Sequence, residues 1–379
     1  MKRLAIFHPA GLGDFLLDLH NLRQLIRSDL SPRSFTYVCN EVAKPLIQFI
    51  GLDRVLDIYY LSYPSIKLID FYTLISTSRK VENIFVLGGM NLRKIGNLKL
   101  FTSNKVKFFG TLQDYPYECI DEIRPNRGLY EYIEGPKENS HRIVENFNLF
   151  KSQRLVNNAD FYIDSIFLNS SLEGLTPLFS NSFNEPFIVV HTGLVERKTY
   201  KTMSLDYWKN LLLELLNNFG QKIVVIGSKF EKKNIDSILT HVNAGRILNY
   251  CGKTDLLETM CLISQSEMVL GVDGGMAHLA AFLKKKLVVL FGPTNPHNVS
   301  PVGTDGFIIS YPVECSPCYF SKNYYQCPYG RKCLNDLDTN LIIDVINSVI
   351  MQQDFIYNKI ENYVVQKIPT YKSLGKLLQ

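Results

Sequence analysis

The sequence predicts two doubly wound α/β domains, and three observations support this. The chain has 379 residues, which corresponds to two domains at a typical size of about 150 residues each. Short apolar runs alternate with longer mixed segments in both halves, a pattern typical of parallel strands joined by crossover helices. A stretch rich in Ser, Asn, Gly and Pro interrupts this pattern between Asn169 and Pro186, and the pattern then restarts.

Composition excludes several protein classes. Hydrophobic residues make up 46% and charged residues 20% of the chain, which is typical of a soluble globular protein and excludes a disordered one. The 41 basic and 36 acidic residues leave a charge of +5, too low for a dedicated nucleic-acid-binding protein. No apolar run reaches the length of a signal-peptide core, about 7–15 residues, or of a membrane span, about 20 residues. We therefore expect a cytoplasmic protein that does not bind nucleic acid.

The first predicted domain covers residues 1–170. An apolar strand opens at residue 4 and enters a glycine-containing turn, after which apolar residues at helical spacing predict a helix through residue 26. Further strands are predicted at 35–39, 55–60, 83–87 and 106–109.

We place the linker at 171–186 and the second domain at 187–350, followed by a tail at 351–379. Five buried strands are predicted in the second domain, at 187–191, 222–226, 246–250, 268–272 and 287–291. Helices are predicted at 205–219, 255–264 and 341–350.

The turn HPAGLGD is the first candidate site. A dinucleotide fingerprint would require Gly at position 16, where this chain has Leu16. Instead, Gly11 and Gly13 let the turn pass close to a ligand and aim Asp14 toward the carboxyl ends of the strands. The alternative is that Asp14 only caps the helix.

The second candidate is the segment VDGGMAH. A predicted strand ends at Asp273, Gly274 and Gly275 follow, and a helix begins. Glycine at these positions lets phosphate oxygens approach the free N–H groups of the first helical turn, and His278 can reach the same anion. The alternative is a tight strand–helix turn with a capping aspartate and a packed histidine.

Two further loops follow predicted strands of the second domain. The first strand ends in three residues that could face a ligand, His191, Thr192 and Gly193. Lys198 or Lys201 downstream could pair with a diphosphate, or could be solvated. The second loop follows the predicted strand at 222–226 and contains Glu231. Glu231 could accept hydrogen bonds from a nucleoside, or could be a first-turn helix acid.

These motifs together resemble glycosyltransferase family 9, the ADP-heptose:lipopolysaccharide heptosyltransferases. The resemblance rests on HPAGLGD, a Lys-x6-Trp stretch, DGGMAHLAA with FGPTNP downstream, and CSPC, in that order. Members of the family commonly have Thr where this chain has Gly274.

The resemblance implies a GT-B fold with two Rossmann-like domains, a cleft between them and a C-terminal helix that crosses back. The acceptor would bind the first domain and a nucleotide sugar the second, and the chemistry would be inverting without a metal. Asp14 matches the general base. Lys201 matches the phosphate-binding lysine, since it precedes Trp208 by seven residues. The remaining donor-binding residues would be Glu231, Asp273, Gly274, Gly275 and His278.

Four cysteines form the pattern C-x2-C-x8-C-x5-C, at Cys315, Cys318, Cys327 and Cys333. Such spacing in a cytosolic protein suggests tetrahedral coordination of zinc or iron, and related autotransporter heptosyltransferases hold iron with a similar motif. We expect any such ion to be structural rather than catalytic. The alternative is unligated thiols in a packed loop. Cys39, Cys119, Cys251 and Cys261 are predicted to be core residues.

A basic segment lies between Arg79 and Lys107, with seven basic residues and one acid and therefore a charge of +6. It suits an anionic acceptor or a membrane surface, although a solvated face is the alternative.

The expected function is transfer of a heptose from ADP-heptose to a lipopolysaccharide core or related surface glycan, with no catalytic cofactor. The anionic acceptor would place the protein at the inner face of the inner membrane, as a peripheral membrane protein. The alternatives are a GT-B enzyme with another nucleotide sugar and a non-catalytic protein that binds sugar nucleotides.

Overall fold

The computed structural model divides the chain into two compact units, which are described separately. The first comprises Met1–Phe167 with Lys372–Gln379, and the second Leu168–Tyr371. The structure describes residues 4–8, 10–28, 35–62, 76, 81–87, 106–111, 132–134, 140–157, 185–194, 199–240, 245–319, 321–353 and 363–376. Of the expected linker, only Glu185 and Pro186 fall within these ranges.

The first unit contains a six-stranded parallel sheet with the order β3-β2-β1-β4-β5-β6. Its strands are β1 (Leu4–His8), β2 (Phe35–Asn40), β3 (Asp57–Leu61), β4 (Asn83–Val86), β5 (Lys107–Thr111) and β6 (Tyr132–Glu134). Its described helices are α1 (Leu12–Arg27), α2 (Lys44–Phe49) and α3 (Arg142–Ser152), with 3-10 turns at Glu41–Ala43 and Leu52–Arg54.

The burial pattern explains why these segments form a parallel sheet. All five residues of β1 are buried, as expected for a central strand covered on both faces. Helix α1 places apolar residues on the sheet through Phe15, Leu22 and Leu25, each at most 2% exposed. The Phe85 ring stacks on Phe109 at a centroid distance of 4.9 Å and packs on Phe150 of α3 at 5.4 Å.

The second unit contains a seven-stranded sheet with the order β13-β12-β11-β10-β7-β8-β9, parallel except for the antiparallel strand β13. Its strands are β7 (Phe187–His191), β8 (Lys222–Ile226), β9 (Ile247–Asn249), β10 (Met268–Val272), β11 (Lys286–Phe291), β12 (Gly306–Ser310) and β13 (Val364–Lys367).

The longer helices around the second sheet are α4 (Leu205–Asn218), α5 (Lys229–Leu239), α6 (Leu256–Gln265), α7 (Gly275–Phe282) and α11 (Thr339–Met351). Shorter ones are α8 (Pro296–Val299), α9 (Lys322–Tyr325) and α10 (Lys332–Asn335), with a 3-10 turn at Thr199–Lys201. The last helix, α12 (Tyr371–Gly375), begins at the final residue of the second unit, and its other residues belong to the first unit. Trp208 of α4 is fully buried, and Ser204 caps this helix by accepting from the Tyr207 N–H at 3.2 Å.

Each sheet has one point where the chain order reverses. In the first unit, β1 lies between β2 and β4, and in the second, β7 lies between β8 and β10. Ligands of open α/β sheets bind outside the carboxyl ends of the strands at such a reversal. The loops after β1, β7 and β10 therefore occupy the ligand-binding position of each unit.

The predicted α/β class with two Rossmann-like sheets is confirmed. The bounds of β7, β8 and β10 agree with the sequence-based ones. The prediction missed β6, β12, β13 and α3. Strands β6 and β13 are edge strands of three and four residues, and β12 begins with Gly306, so the apolar signal of each is weak. Cys39, Cys251 and Cys261 are buried as expected, whereas Cys119 lies outside the described residues. No helix within the described ranges is long and apolar enough to cross a membrane.

Gly306 provides a test of the second sheet. Its φ is +146°, and a Cβ atom there would lie 1.8 Å from the Leu287 carbonyl oxygen of the paired strand β11. We expect Gly306→Ala to destabilise the protein by about 2 kcal/mol or more, which lowers Tm by about 4–8 °C in a unit of this size. Gly245→Ala is the control, because a Cβ there meets no atom within 4 Å among the described residues. Thermal unfolding measures both, and equal Tm values would contradict the close pairing of β11 with β12.

Candidate functional site

Asp14 lies at the reversal point of the first sheet, in the first turn of α1. Its Oδ2 accepts a hydrogen bond from the Gly11 N–H at 3.1 Å, and its Oδ1 forms an ion pair with Nη1 of Arg142, the first residue of α3. Asp14 thus takes part in capping α1, and its side chain is 30% exposed, so its role toward a ligand stays a prediction. Gly13 is the second residue of α1.

A buried polar network lies one helical turn below Asp14. Asp18 is fully buried, accepts from the Asn146 side-chain amide at 2.6 Å, and contacts the imidazole of His8 at the end of β1. Asp14 with Arg142 and Asp18 with Asn146 form two successive links between α1 and α3. The links fix the register of the two helices, because a buried carboxylate requires its partners.

Lys201 and Asp273 meet at the reversal point of the second sheet. The Nζ of Lys201, which follows β7, lies 2.8 Å from Oδ2 of Asp273, which follows β10. Thr294, after β11, donates to the same oxygen at 2.7 Å. Burial opposes ionisation of Asp273, but the charge of Lys201 and the two hydrogen bonds outweigh it and hold the pKa of the carboxyl below its usual value.

The helix that follows Asp273 supplies free backbone N–H groups. Helix α7 begins at Gly275, and Gly274 before it has extended backbone, where a Cβ would meet only the Val272 carbonyl oxygen at 4.0 Å among the described atoms. His278, buried in the first turn, is close enough for its charge to favour the ionised form of Asp273. The first turn of α7 can therefore receive a phosphate group beside Lys201.

The loop after β7 is built around Gly193 and Thr192. Gly193 has a φ of +67°, and a Cβ there would lie 2.7 Å from Cγ2 of Val272, so glycine is required at this position. The carbonyl oxygen of buried Thr192 accepts from the Thr202 hydroxyl at 2.5 Å. Thr192 and Gly193 thus shape the loop that leads to Lys201.

His191 and Glu231 form a second buried polar pair in this unit. Oε2 of Glu231 accepts from the Ser228 N–H at 2.7 Å, as in a capping box, while its Oε1 lies 3.7 Å from Nε2 of His191. Burial lowers the pKa of His191, which Glu231 partly opposes. Among the described residues, neither His191 Nδ1 nor Glu231 Oε1 has a hydrogen-bond partner. Glu231 is thus a buried first-turn helix acid with one oxygen that has no hydrogen-bond partner among the described residues, and its role toward a nucleoside stays a prediction.

The four clustered cysteines line one pocket together with tyrosines. Burial raises the pKa of Cys318 to about 11 and that of Cys333 to about 12. Within the described part of the chain, no group of three or more His, Cys, Asp or Glu side chains is arranged to hold a metal ion. The predicted structural zinc or iron ion is therefore not supported.

Sequence reasoning missed Arg142, Thr294 and the buried Asp18. Asp18 had a signal, since a carboxylate four residues after Asp14 interrupts an apolar helix face. Thr294 lies in the FGPTNP loop that the sequence singled out, but nothing local marks its hydroxyl. Lys198 and most of the basic segment at 79–107 lie outside the described residues.

Comparison with known proteins identifies the family. The model of glycosyltransferase family 9 (heptosyltransferase) matches residues 131–328, just over half of the chain. This range includes Lys201, Glu231, Asp273 and His278, whereas Asp14 lies outside it.

Curated relatives are heptosyltransferases. Lipopolysaccharide heptosyltransferase 2 of Salmonella typhimurium is 28% identical over 134 residues, which are 35% of this chain and 38% of the relative. Lipooligosaccharide heptosyltransferase 2 of Campylobacter jejuni serotype O:2 is 26% identical over 220 residues, 54% of this chain and 66% of the relative. The matches thus span between about a third and two thirds of these two relatives.

Solved structures share the fold along nearly the whole chain. E. coli ADP-heptose lps heptosyltransferase II superposes with a TM-score of 0.62 at 16% identity, covering 92% of this chain and 99% of that one. A family 9 glycosyl transferase from Veillonella parvula gives 0.67 at 14% identity, covering 93% and 98%. These likenesses confirm the predicted GT-B fold class. With the fold and the family model in agreement, the chain belongs to glycosyltransferase family 9, the heptosyltransferase family.

Proposed function

We propose that the protein is an inverting glycosyltransferase that moves a heptose from ADP-heptose to a lipopolysaccharide core or related surface glycan, without a metal. The observation that carries this proposal is the family match over residues 131–328, which contains the Lys201, Asp273 and α7 cluster. The first unit would bind the acceptor and the second the nucleotide sugar.

In this proposal the second unit stabilises the leaving diphosphate. Lys201 supplies a cation, and the first turn of α7 supplies N–H groups at the positive end of the helix dipole. Asp273 has an indirect role, because a carboxylate repels a phosphate but can hold the lysine in place. Oε1 of Glu231, which is buried and has no hydrogen-bond partner among the described residues, would accept a hydrogen bond from the nucleoside.

Asp14 would act as the general base. The acceptor hydroxyl oxygen attacks the anomeric carbon while Asp14 takes the hydroxyl proton, and the bond between that carbon and the diphosphate oxygen breaks with its electron pair leaving on the diphosphate. A single displacement inverts the anomeric centre. Arg142 and the Gly11 N–H orient the carboxylate for this step.

The basic segment between Arg79 and Lys107 supports an anionic acceptor. In the proposal the protein acts in the cytoplasm, and its membrane contact is peripheral, at the inner face of the inner membrane where a glycolipid acceptor would be presented.

Replacing the proposed base tests the mechanism. We expect Asp14→Asn to lower kcat by about 10²–10⁴-fold, the usual contribution of a general base, with an unchanged Kd for the nucleotide. The asparagine side-chain oxygen still accepts from the Gly11 N–H, but the ion pair with the buried Arg142 is lost, so kcat is compared at a temperature well below the Tm of the variant. Asp206→Asn, which alters an exposed first-turn acid of α4, is the matched control. Near-wild-type transfer by Asp14→Asn would assign the base to another residue.

Binding of a panel of nucleotides tests which nucleotide the sugar donor carries. ADP at about 100 times its Kd should add about 2.7 kcal/mol of stability, or about 5–10 °C in Tm for a unit of this size. We expect ADP to raise Tm more than UDP or GDP does at equal concentration. A larger shift with UDP or GDP would indicate another nucleotide sugar, and donor binding without transfer or hydrolysis would indicate a non-catalytic binding protein.

Position 274 offers a gain-of-binding test. Because its backbone is extended and open, Gly274→Thr should fold like the wild type and present the hydroxyl common in the family. One added hydrogen bond of about 0.5–1.5 kcal/mol would tighten ADP binding by about 2- to 10-fold, as isothermal titration would measure. Gly274→Val, which has the same shape without the hydroxyl, is the control. Equal affinity of the two variants would show that the phosphate does not reach this position.

A further inference from the structure

We propose that Tyr319 is a positioning residue for Lys201, and that the cysteine-bearing segment Tyr311–Asn335 serves as the support that holds this tyrosine in place. The proposal rests on the proposed function in one respect, namely that Lys201 binds the diphosphate of the donor.

The direct contact is between the lysine ammonium and the tyrosine ring. The Nζ of Lys201 lies 4.2 Å from the ring centroid of Tyr319, well inside the range of a cation–π contact. The same Nζ lies 2.8 Å from Asp273. The Lys201 ammonium therefore contacts both a ring and a carboxylate. These two contacts restrict the Lys201 side chain, which is 22% exposed.

The backbone of Tyr319 is tied to the loop that also carries Thr294. The N–H groups of Cys318 and Tyr319 both donate to the Pro293 carbonyl oxygen, at 2.8 and 2.9 Å. Thr294, the next residue, donates to Asp273. The tyrosine and the carboxylate that contact Lys201 are thus held by adjacent residues of one loop.

An aromatic cluster connects Tyr319 to the lysine from a second direction. The Tyr319 ring packs edge-on against Tyr324 at 4.9 Å, and Tyr324 packs on Tyr200 at 5.2 Å. Tyr200 directly precedes Lys201 in the 3-10 turn. The side chain and the backbone of the lysine therefore both rest on the same segment.

Two hydrogen bonds connect the cysteine-bearing segment to the residues that follow the 3-10 turn. Arg331 donates to the Thr202 carbonyl oxygen at 3.2 Å, and the Ser204 N–H donates to the Asn335 side-chain oxygen at 2.9 Å. The segment that contains the cysteines thus contacts the loop after β7 and the loop after β11 together. Its cysteines line a pocket together with Tyr200 and Tyr324.

The consequence for binding is preorganisation. A free lysine side chain loses rotamer freedom when it binds a ligand, and a lysine already held in place loses less. Loss of the ring should therefore weaken binding of the diphosphate and leave binding of the nucleoside unchanged.

The test compares Tyr319→Leu with Tyr319→Phe, because phenylalanine keeps the ring and leucine removes it. Affinities for ADP and for adenosine are measured by isothermal titration. We expect Tyr319→Phe to bind ADP within about twofold of the wild type. Tyr319→Leu should bind ADP about 2- to 30-fold more weakly, the range of a cation–π contact, while adenosine affinity stays unchanged.

A double-mutant cycle assigns the effect to Lys201. Tyr319→Leu is repeated in a Lys201→Met/Asp273→Asn background, in which no unpaired buried carboxylate remains, and there it should have no further effect on ADP affinity. An equal effect in both backgrounds, or an equal loss of adenosine binding, would overturn the proposal, since either result would indicate a general structural role.

A second measurement does not depend on nucleotide binding. Brief labelling of the intact protein with acetic anhydride, read by mass spectrometry, reports how accessible the Lys201 amine is. Labelling of Lys201 is normalised to that of exposed reference lysines in the same protein. Tyr319→Leu should raise this normalised labelling severalfold over the wild type, whereas Tyr319→Phe should not. Unchanged labelling would overturn the positioning role. If the wild type binds no nucleoside diphosphate, the proposed function fails, and labelling still decides whether Tyr319 holds Lys201.

Discussion

Parallel strand pairing with one reversal of order is the constraint on which both units depend. Every parallel strand ends at the same edge of its sheet, so loops that are far apart in sequence meet there. Asp14 follows β1 and lies at the reversal in the first sheet. Lys201 and Asp273 follow β7 and β10, the two strands that pair at the reversal in the second. The candidate residues meet because of this topology, although 72 residues separate the lysine from its carboxylate.

The second unit places its cation beside a compensating anion. Asp273 is buried, and its carboxyl stays ionised because Lys201 and Thr294 stabilise the charged form. Lys201 is thereby held in place before a ligand arrives, at the cost of part of its attraction for a phosphate. The backbone N–H groups of α7 also attract a phosphate, although they carry no net charge. Removing the lysine alone would leave an unpaired buried carboxylate, which typically costs about 3–5 kcal/mol, so such a variant would change stability and binding together.

The first unit uses paired side chains on two helices for two purposes. Asp14 and Asp18 lie one turn apart on α1, and their partners Arg142 and Asn146 lie one turn apart on α3. The lower pair is buried with His8 and sets the register of the helices. The upper pair is partly exposed and orients the carboxylate that we propose as the base. A difference in burial along one helix thus separates a fully buried aspartate, Asp18, from a partly exposed one, Asp14.

The fold class and most central strands follow from the sequence, because buried parallel strands are continuous apolar runs that can be recognised locally. The sequence also located Asp14, Asp273 and α7 through glycine-containing turns after strands, and the family through the order of its motifs. Tertiary structure alone decided which side chains meet. Arg142 lies 128 residues from Asp14, and no local pattern specifies a partner at that distance. The cysteine spacing suited a metal ion, yet no arrangement of side chains that could hold one is found among the described residues. Spacing along a chain limits which contacts are possible, and packing between distant segments decides which of them form.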